Sequence, residues 1–291
     1  MNTKDSPNSD RWSPGRMASF GGGWLLCIMM LWCNAAAAAT PREQPPGEPP
    51  SDEETGRLYY PSQNSLRDVE HLLQRAGARG KLALVVLGAN WCHDSRALAS
   101  RIHQSPLEEV IKARYEVGFV DVGFLDGGRD VAEKLGVPLY YATPTVLIVD
   151  PVRGRLINRH DRHQWSAAER ISMEDSVTYF EEMASDQMRL PGPATGAERA
   201  RLDVEIDQFE QKMAGKVERG YQRVGPMLRA YKEGGDVPSS FEHDWEEVYQ
   251  YRTGIPAEIE LLRAQAAERL ESGESPVELV FPAIEKYSWE Q

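Results

Sequence analysis

LALVVLGANWCHDSR, residues Leu82 to Arg96, is the stretch whose reading decides the fold. The unbroken apolar run Leu82–Leu87 reads as a strand buried on both faces. After the turn GANWC, apolar residues Leu98, Ile102, Leu107, Val110 and Ile111 recur at helical spacing, which predicts a helix from about Ser95 to Ala113. Cys92 therefore stands where a strand turns into a helix. A cysteine there lies near unpaired backbone N–H groups and the positive end of the helix dipole, a setting that makes a thiol reactive. Three residues later the chain carries Ser95 rather than a second cysteine.

Working outward, Ser65 is the expected N-cap of a helix that buries Leu66, Val69, Leu72 and Leu73 and ends near Gly77 to Gly80. Downstream, YEVGFVDVG (Tyr115–Gly123) predicts a strand and RDVAEKLGV (Arg129–Val137) a short helix. A second apolar run, Thr145–Asp150, follows YYATP, and the turn PVRG leads into RLINRH as a hairpin. Trp165 to Phe180 is helical in pattern. This order predicts an α/β fold, a sheet with helices on both faces. Beyond PGPATG (residues 191–196) the pattern changes. Leu202, Ile206, Phe209, Met213, Val217, Tyr221, Val224 and Leu228 mark one long amphipathic helix, which Gly225-Pro226 should kink or interrupt. Helices over Phe241–Tyr251 and Ala257–Glu271 complete an all-helical, acidic region spanning 191–291.

The first 39 residues predict an export signal: Lys4, Arg11 and Arg16 precede an apolar segment that closes on the run Ala35–Ala39. Residues 40–57, rich in Pro, Glu and Gly, read as a flexible linker. Signal removal would place the protein in the periplasm or outside the cell, with no membrane attachment; the alternative is an uncleaved N-terminal membrane anchor, since the apolar segment approaches the roughly 20 residues that span a bilayer. It would also remove Cys27 and Cys33, leaving Cys92 as a lone thiol that can form no internal disulfide. Residues 40–291 hold 30 basic and 43 acidic side chains, a balance that repels nucleic acid and anionic membrane surfaces.

Residues 58–188 resemble the thioredoxin superfamily. The resemblance is carried by the buried strand followed by Trp91-Cys92-His93-Asp94-Ser95, by FVDVG and AEKLGV, and by Thr143-Pro144-Thr145 before an apolar strand and hairpin. It implies a thioredoxin-like sheet, a cis peptide at Pro144 lying against Cys92, and a surface where Thr143 and Pro144 offer backbone to an extended substrate segment. Two departures stand out. Ser95 replaces the resolving cysteine of dithiol members, and Val86 replaces the buried acid of thioredoxins proper.

The expected function is thiol–disulfide exchange by a monothiol C-x-x-S protein acting on a protein or small thiol or disulfide substrate, without cofactor or metal. Cys92 is the expected nucleophile. Ser95 is expected either to hydrogen-bond its thiolate or to cap the helix; Trp91 packs beside it as an apolar wall, and His93 is a solvent-facing residue able to add positive charge. The alternative is a non-catalytic protein that holds a partner through the cis-proline surface or the helical tail. His160, Asp161 and His163 are expected to form a solvated turn rather than a metal site.

Overall fold

The computed structural model describes residues 58–186 and 196–291. The expected export signal (1–39) and linker (40–57) lie outside the described residues. The sheet is built from β1 (Leu82–Gly88), β2 (Tyr115–Asp121), β3 (Thr145–Asp150) and β4 (Arg155–Leu156) in the order β2-β1-β3-β4. β1 runs parallel to β2 and antiparallel to β3, and the β3–β4 hairpin closes one edge.

Every residue of β1 is buried, because both faces of the sheet are covered. Its side chains alternate between two cores. Ala83, Val85 and Leu87 pack on the side of α1 (Ser65–Ala78) and α4 (Arg129–Lys134), while Leu82, Leu84 and Val86 pack on the side of α2 (His93–Ile102), α3 (Leu107–Arg114) and α5 (Met173–Asp186). The first core continues into α6 (Ala197–Glu233) and α7 (Phe241–Glu271), so that Leu202, Ile206, Val217 and Tyr221 share one apolar cluster with Val85, Tyr140 and Tyr141. The chain thus has an α/β sheet flanked by helices, with a C-terminal extension whose two long helices are followed by a non-helical stretch, residues 272–287, so that the extension is not helical throughout as expected. No helix of the described residues is long and apolar enough to cross a membrane.

Several sequence expectations are corrected. The helix expected over Ser95–Ala113 is two, α2 and α3, with the break at residues 103–106, where Pro106 disfavours helical backbone in the residue before it. The segment Trp165–Phe180 is likewise divided: a 3₁₀ stretch, Gln164–Arg170, is separated from α5 by the extended residue Ile171. The N-cap of α1 is Asn64, one residue earlier than expected, whose side chain accepts from the Arg67 N–H at 2.9 Å.

Pro226 does not interrupt α6, and Pro256 does not divide α7. An interior proline costs about 3 kcal/mol. Here the paired packing of the two helices offsets it, with Val217, Val224, Val248, Ile255, Ile259 and Leu262 all buried.

Candidate functional site

Cys92 is the N-cap of α2, with φ −88° and ψ 123°. Its side chain makes no capping bond. Instead the thiol donates to the carbonyl oxygen of Thr143 at 3.1 Å, where the Thr143–Pro144 peptide is cis. The strand-to-helix turn and the segment entering β3, 51 residues apart in sequence, thus meet at one sulfur. Cys92 is half-buried, whereas Thr143 and Pro144 are buried, so the accessible part of the site is Cys92 with Trp91 and His93.

Ser95 is fully buried, and its hydroxyl has no hydrogen-bond partner. Its expected role as a helix cap is corrected, since the cap position belongs to Cys92 and Ser95 lies inside the first turn. Nor does it hydrogen-bond Cys92. Val86 sits beneath, on the face of β1 that packs against α2, with no exposure.

Trp91 forms a wall with a specific anchor. Its indole N–H donates to the Gly123 carbonyl at 2.7 Å, and its ring stacks on Phe124 at 6.4 Å. His93 is exposed, with Nδ1 lying 3.1 Å from a Glu169 carboxylate oxygen on the 3₁₀ stretch. Asp94 accepts from the Glu169 backbone N–H at 3.1 Å, tying the start of α2 to the same stretch.

Sequence reasoning missed Tyr59. It is buried, and its hydroxyl donates to the Ser95 carbonyl at 3.2 Å. Burial, with Cys92 nearby as a lesser cause, pushes that hydroxyl well above the ordinary tyrosine range, so it remains a neutral donor. Asn90 of the turn clasps Tyr59 from both sides, accepting from its N–H at 3.2 Å and donating to its carbonyl at 2.6 Å. An amide beside the reactive position was the one local signal of this contact.

The segment leading to Thr143 is held from the opposite side by the helical extension. Tyr221 of α6 donates to the Tyr140 carbonyl at 3.0 Å, and Arg252 of α7 to the Tyr141 carbonyl at 3.2 Å. The Tyr141 hydroxyl donates to Glu210 at 3.3 Å, and Glu210 also receives Arg162 at 2.6 Å. The solvated turn expected at residues 160–163 is therefore corrected, because Arg162 is buried against the extension. The two histidines part company: His160 pairs with Glu260 at 2.9 Å, while His163 stacks on Tyr141 at 5.4 Å.

Both ring nitrogens of His163 are buried without a partner, and burial, seconded by Arg162, holds its pKa well below the ordinary value. Above about pH 6.5 His163 is neutral in both states, and as the pH falls below that the unfolded chain takes up a proton the folded chain refuses. Between pH 7.5 and 5.5 this one group should take up to about 1.4 kcal/mol from stability, or up to about 3–6 °C in Tm. His163→Phe is expected to lose that much less over the same interval; equal losses in the two proteins would show that His163 is protonated within the fold.

No protein-family model and no curated protein matches the chain. Among solved structures it is similar to the disulphide isomerase from Xylella fastidiosa Temecula1, at 25% identity, covering 44% of this chain and 98% of that one, with a TM-score of 0.41.

Proposed function

We propose that the protein, after export, carries out thiol–disulfide exchange through Cys92 alone. The observation that carries this reading is the half-exposed thiol at the entry of α2, hydrogen-bonded to the Thr143 carbonyl beside Pro144. Cys92 gives its proton to solvent and attacks one sulfur of a substrate disulfide. The bond from Cys92 forms, the substrate S–S bond breaks, and the departing sulfur leaves with the electron pair and is protonated by water.

Ser95 carries no thiol, so release must come from outside the chain. Attack on the mixed disulfide by another thiol of the same substrate rearranges disulfides with no net electron transfer, which is isomerisation. Attack by a small thiol returns Cys92 and leaves that thiol joined to the substrate. Trp91 is the apolar wall beside the incoming sulfur, His93 lies at the open rim, and Thr143, buried beside Pro144, holds the thiol through its carbonyl.

The test is trapping. The exported protein is incubated with oxidised glutathione, quenched with acid, digested and analysed by mass. An adduct on the Cys92 peptide, removed by dithiothreitol, is the expected result. A Cys92 that stays free while the protein is folded would overturn exchange and leave the chain as a partner-binding module.

A further inference from the structure

Three residues of α6, Tyr221, Gly225 and Arg229, follow one another at intervals of four and so share one face of the helix. That face meets both loops flanking Cys92. On one side the Tyr221 hydroxyl donates to the Tyr140 carbonyl at 3.0 Å, and the two rings stack at 5.5 Å. Tyr140 lies three residues before Thr143, whose carbonyl receives the Cys92 thiol.

On the other side, α6 approaches the loop that holds Trp91. A Cβ on Gly225 would stand 2.5 Å from the Phe124 carbonyl oxygen, so only glycine permits this distance. Arg229 lies 4.7 Å above the Phe124 ring and pairs with Asp126 at 3.0 Å. Phe124 in turn stacks on Trp91, and the Trp91 indole is fastened to Gly123.

We infer that α6 is a brace of the reactive site, with Tyr221 and Gly225 as positioning residues that fix the separation between the Trp91–Phe124 wall and the Tyr140–Thr143 segment. The inference rests on the exchange reading above. Disulfide attack requires three sulfurs close to a line, and the two loops flank the first of them, Cys92. Packed loops of this kind do not deform gradually; a methyl group forced against a carbonyl moves the loop as a unit. Gly225 therefore has a role that the helix itself does not need, since glycine inside a helix is unfavourable relative to alanine.

The test uses the full chain with Gly225→Ala, Tyr221→Phe and the control Gly215→Ala. Gly215 lies on the same helix, where a Cβ would meet nothing within 4 Å. Two rates are measured at Cys92, adduct formation with oxidised glutathione and alkylation by iodoacetamide, alongside thermal melting. Alkylation needs only access to one sulfur, so the ratio of the two rates reports positioning rather than general loosening.

Gly225→Ala is expected to slow exchange relative to alkylation about tenfold or more, the scale of a displacement near 1 Å. Tyr221→Phe, which deletes one hydroxyl and keeps the ring, is expected to lower the ratio about fivefold. Gly215→Ala should leave it unchanged. A folded Gly225→Ala with the wild-type ratio overturns the brace; if that variant does not fold, a wild-type ratio in Tyr221→Phe does so. Should the wild-type protein itself form no adduct, it is the exchange reading that fails, and a Gly225→Ala protein that melts with the wild type, showing that the Phe124 loop is not held at that distance, would then reject the brace separately.

Discussion

Ser95→Cys is expected to turn a chain that only forms mixed disulfides into one that reduces disulfides catalytically, with turnover in an insulin-type assay rising at least about tenfold over wild type. Position 95 is one helical turn beyond Cys92, on the first turn of α2. A thiol there attacks the Cys92 sulfur of the mixed disulfide, the substrate leaves as a thiol, and dithiothreitol restores the pair. The substitution sacrifices no hydrogen bond, since the Ser95 hydroxyl has none. The larger sulfur enters a fully buried site, at a packing cost of about 1–3 kcal/mol. Val86 should still limit the rate, because no buried carboxylate stands beneath α2 to accept the second thiol's proton. Adding Val86→Asp tests that limit. A double variant no faster than wild type would mean that the site does not exchange disulfides or that substrate cannot enter it.

What the sequence made legible was local. β3 coincides with the predicted run Thr145–Asp150, and β1 extends the predicted run by one residue, because continuous apolar segments bounded by turn residues leave little choice of structure. The encounter of Cys92 with Thr143 follows once β1 and β3 are neighbours, since one residue precedes α2 and the other precedes β3. The stripe of α6 was legible as well; each of its eight apolar residues is buried. Its general destination was legible too, since about a hundred residues of acidic helix make only a small core and must rest part of the stripe on the sheet-bearing half; the particular contacts were not. Periodicity states that a face is covered and is silent on the cover, so Tyr221 meeting Tyr140, 81 residues away, had no local signature. Prolines misled in both directions. Pro106 ended a helix that the apolar spacing alone would have continued, while Pro226 and Pro256 sit in helices whose partner surfaces outweigh one lost hydrogen bond.

Glu210→Ala is expected to lower Tm by about 6–20 °C. Glu210 is 1% exposed and lies on α6 beside the apolar stripe, a carboxylate in a place where burial is costly unless it is answered by cations. It is answered by Arg162, with side-chain exposure of 4%, at 2.6 Å and by Arg263 of α7 at 3.9 Å, and it also receives the Tyr141 hydroxyl. One carboxylate therefore joins α6 and α7 to the chain after β4 and to the segment before Pro144. Burial already lowers the Arg162 pKa, and Glu210 is the largest influence opposing that shift. Alanine leaves a buried guanidinium without its anion and a buried tyrosine hydroxyl without its acceptor. Breaking such a pair from one side costs about 3–5 kcal/mol. At about 2–4 °C per kcal/mol for a chain of this size, that gives the stated range. The double variant Glu210→Leu with Arg162→Met should recover most of the loss, because an apolar pair of similar volume removes the desolvation cost along with the attraction. Thermal melts of the three proteins decide the matter: a Glu210→Ala protein melting within about 2 °C of wild type, roughly 1 kcal/mol or less, would mean that Arg162 finds water or another partner, and that the Glu210 carboxylate does not help to hold the extension to the sheet.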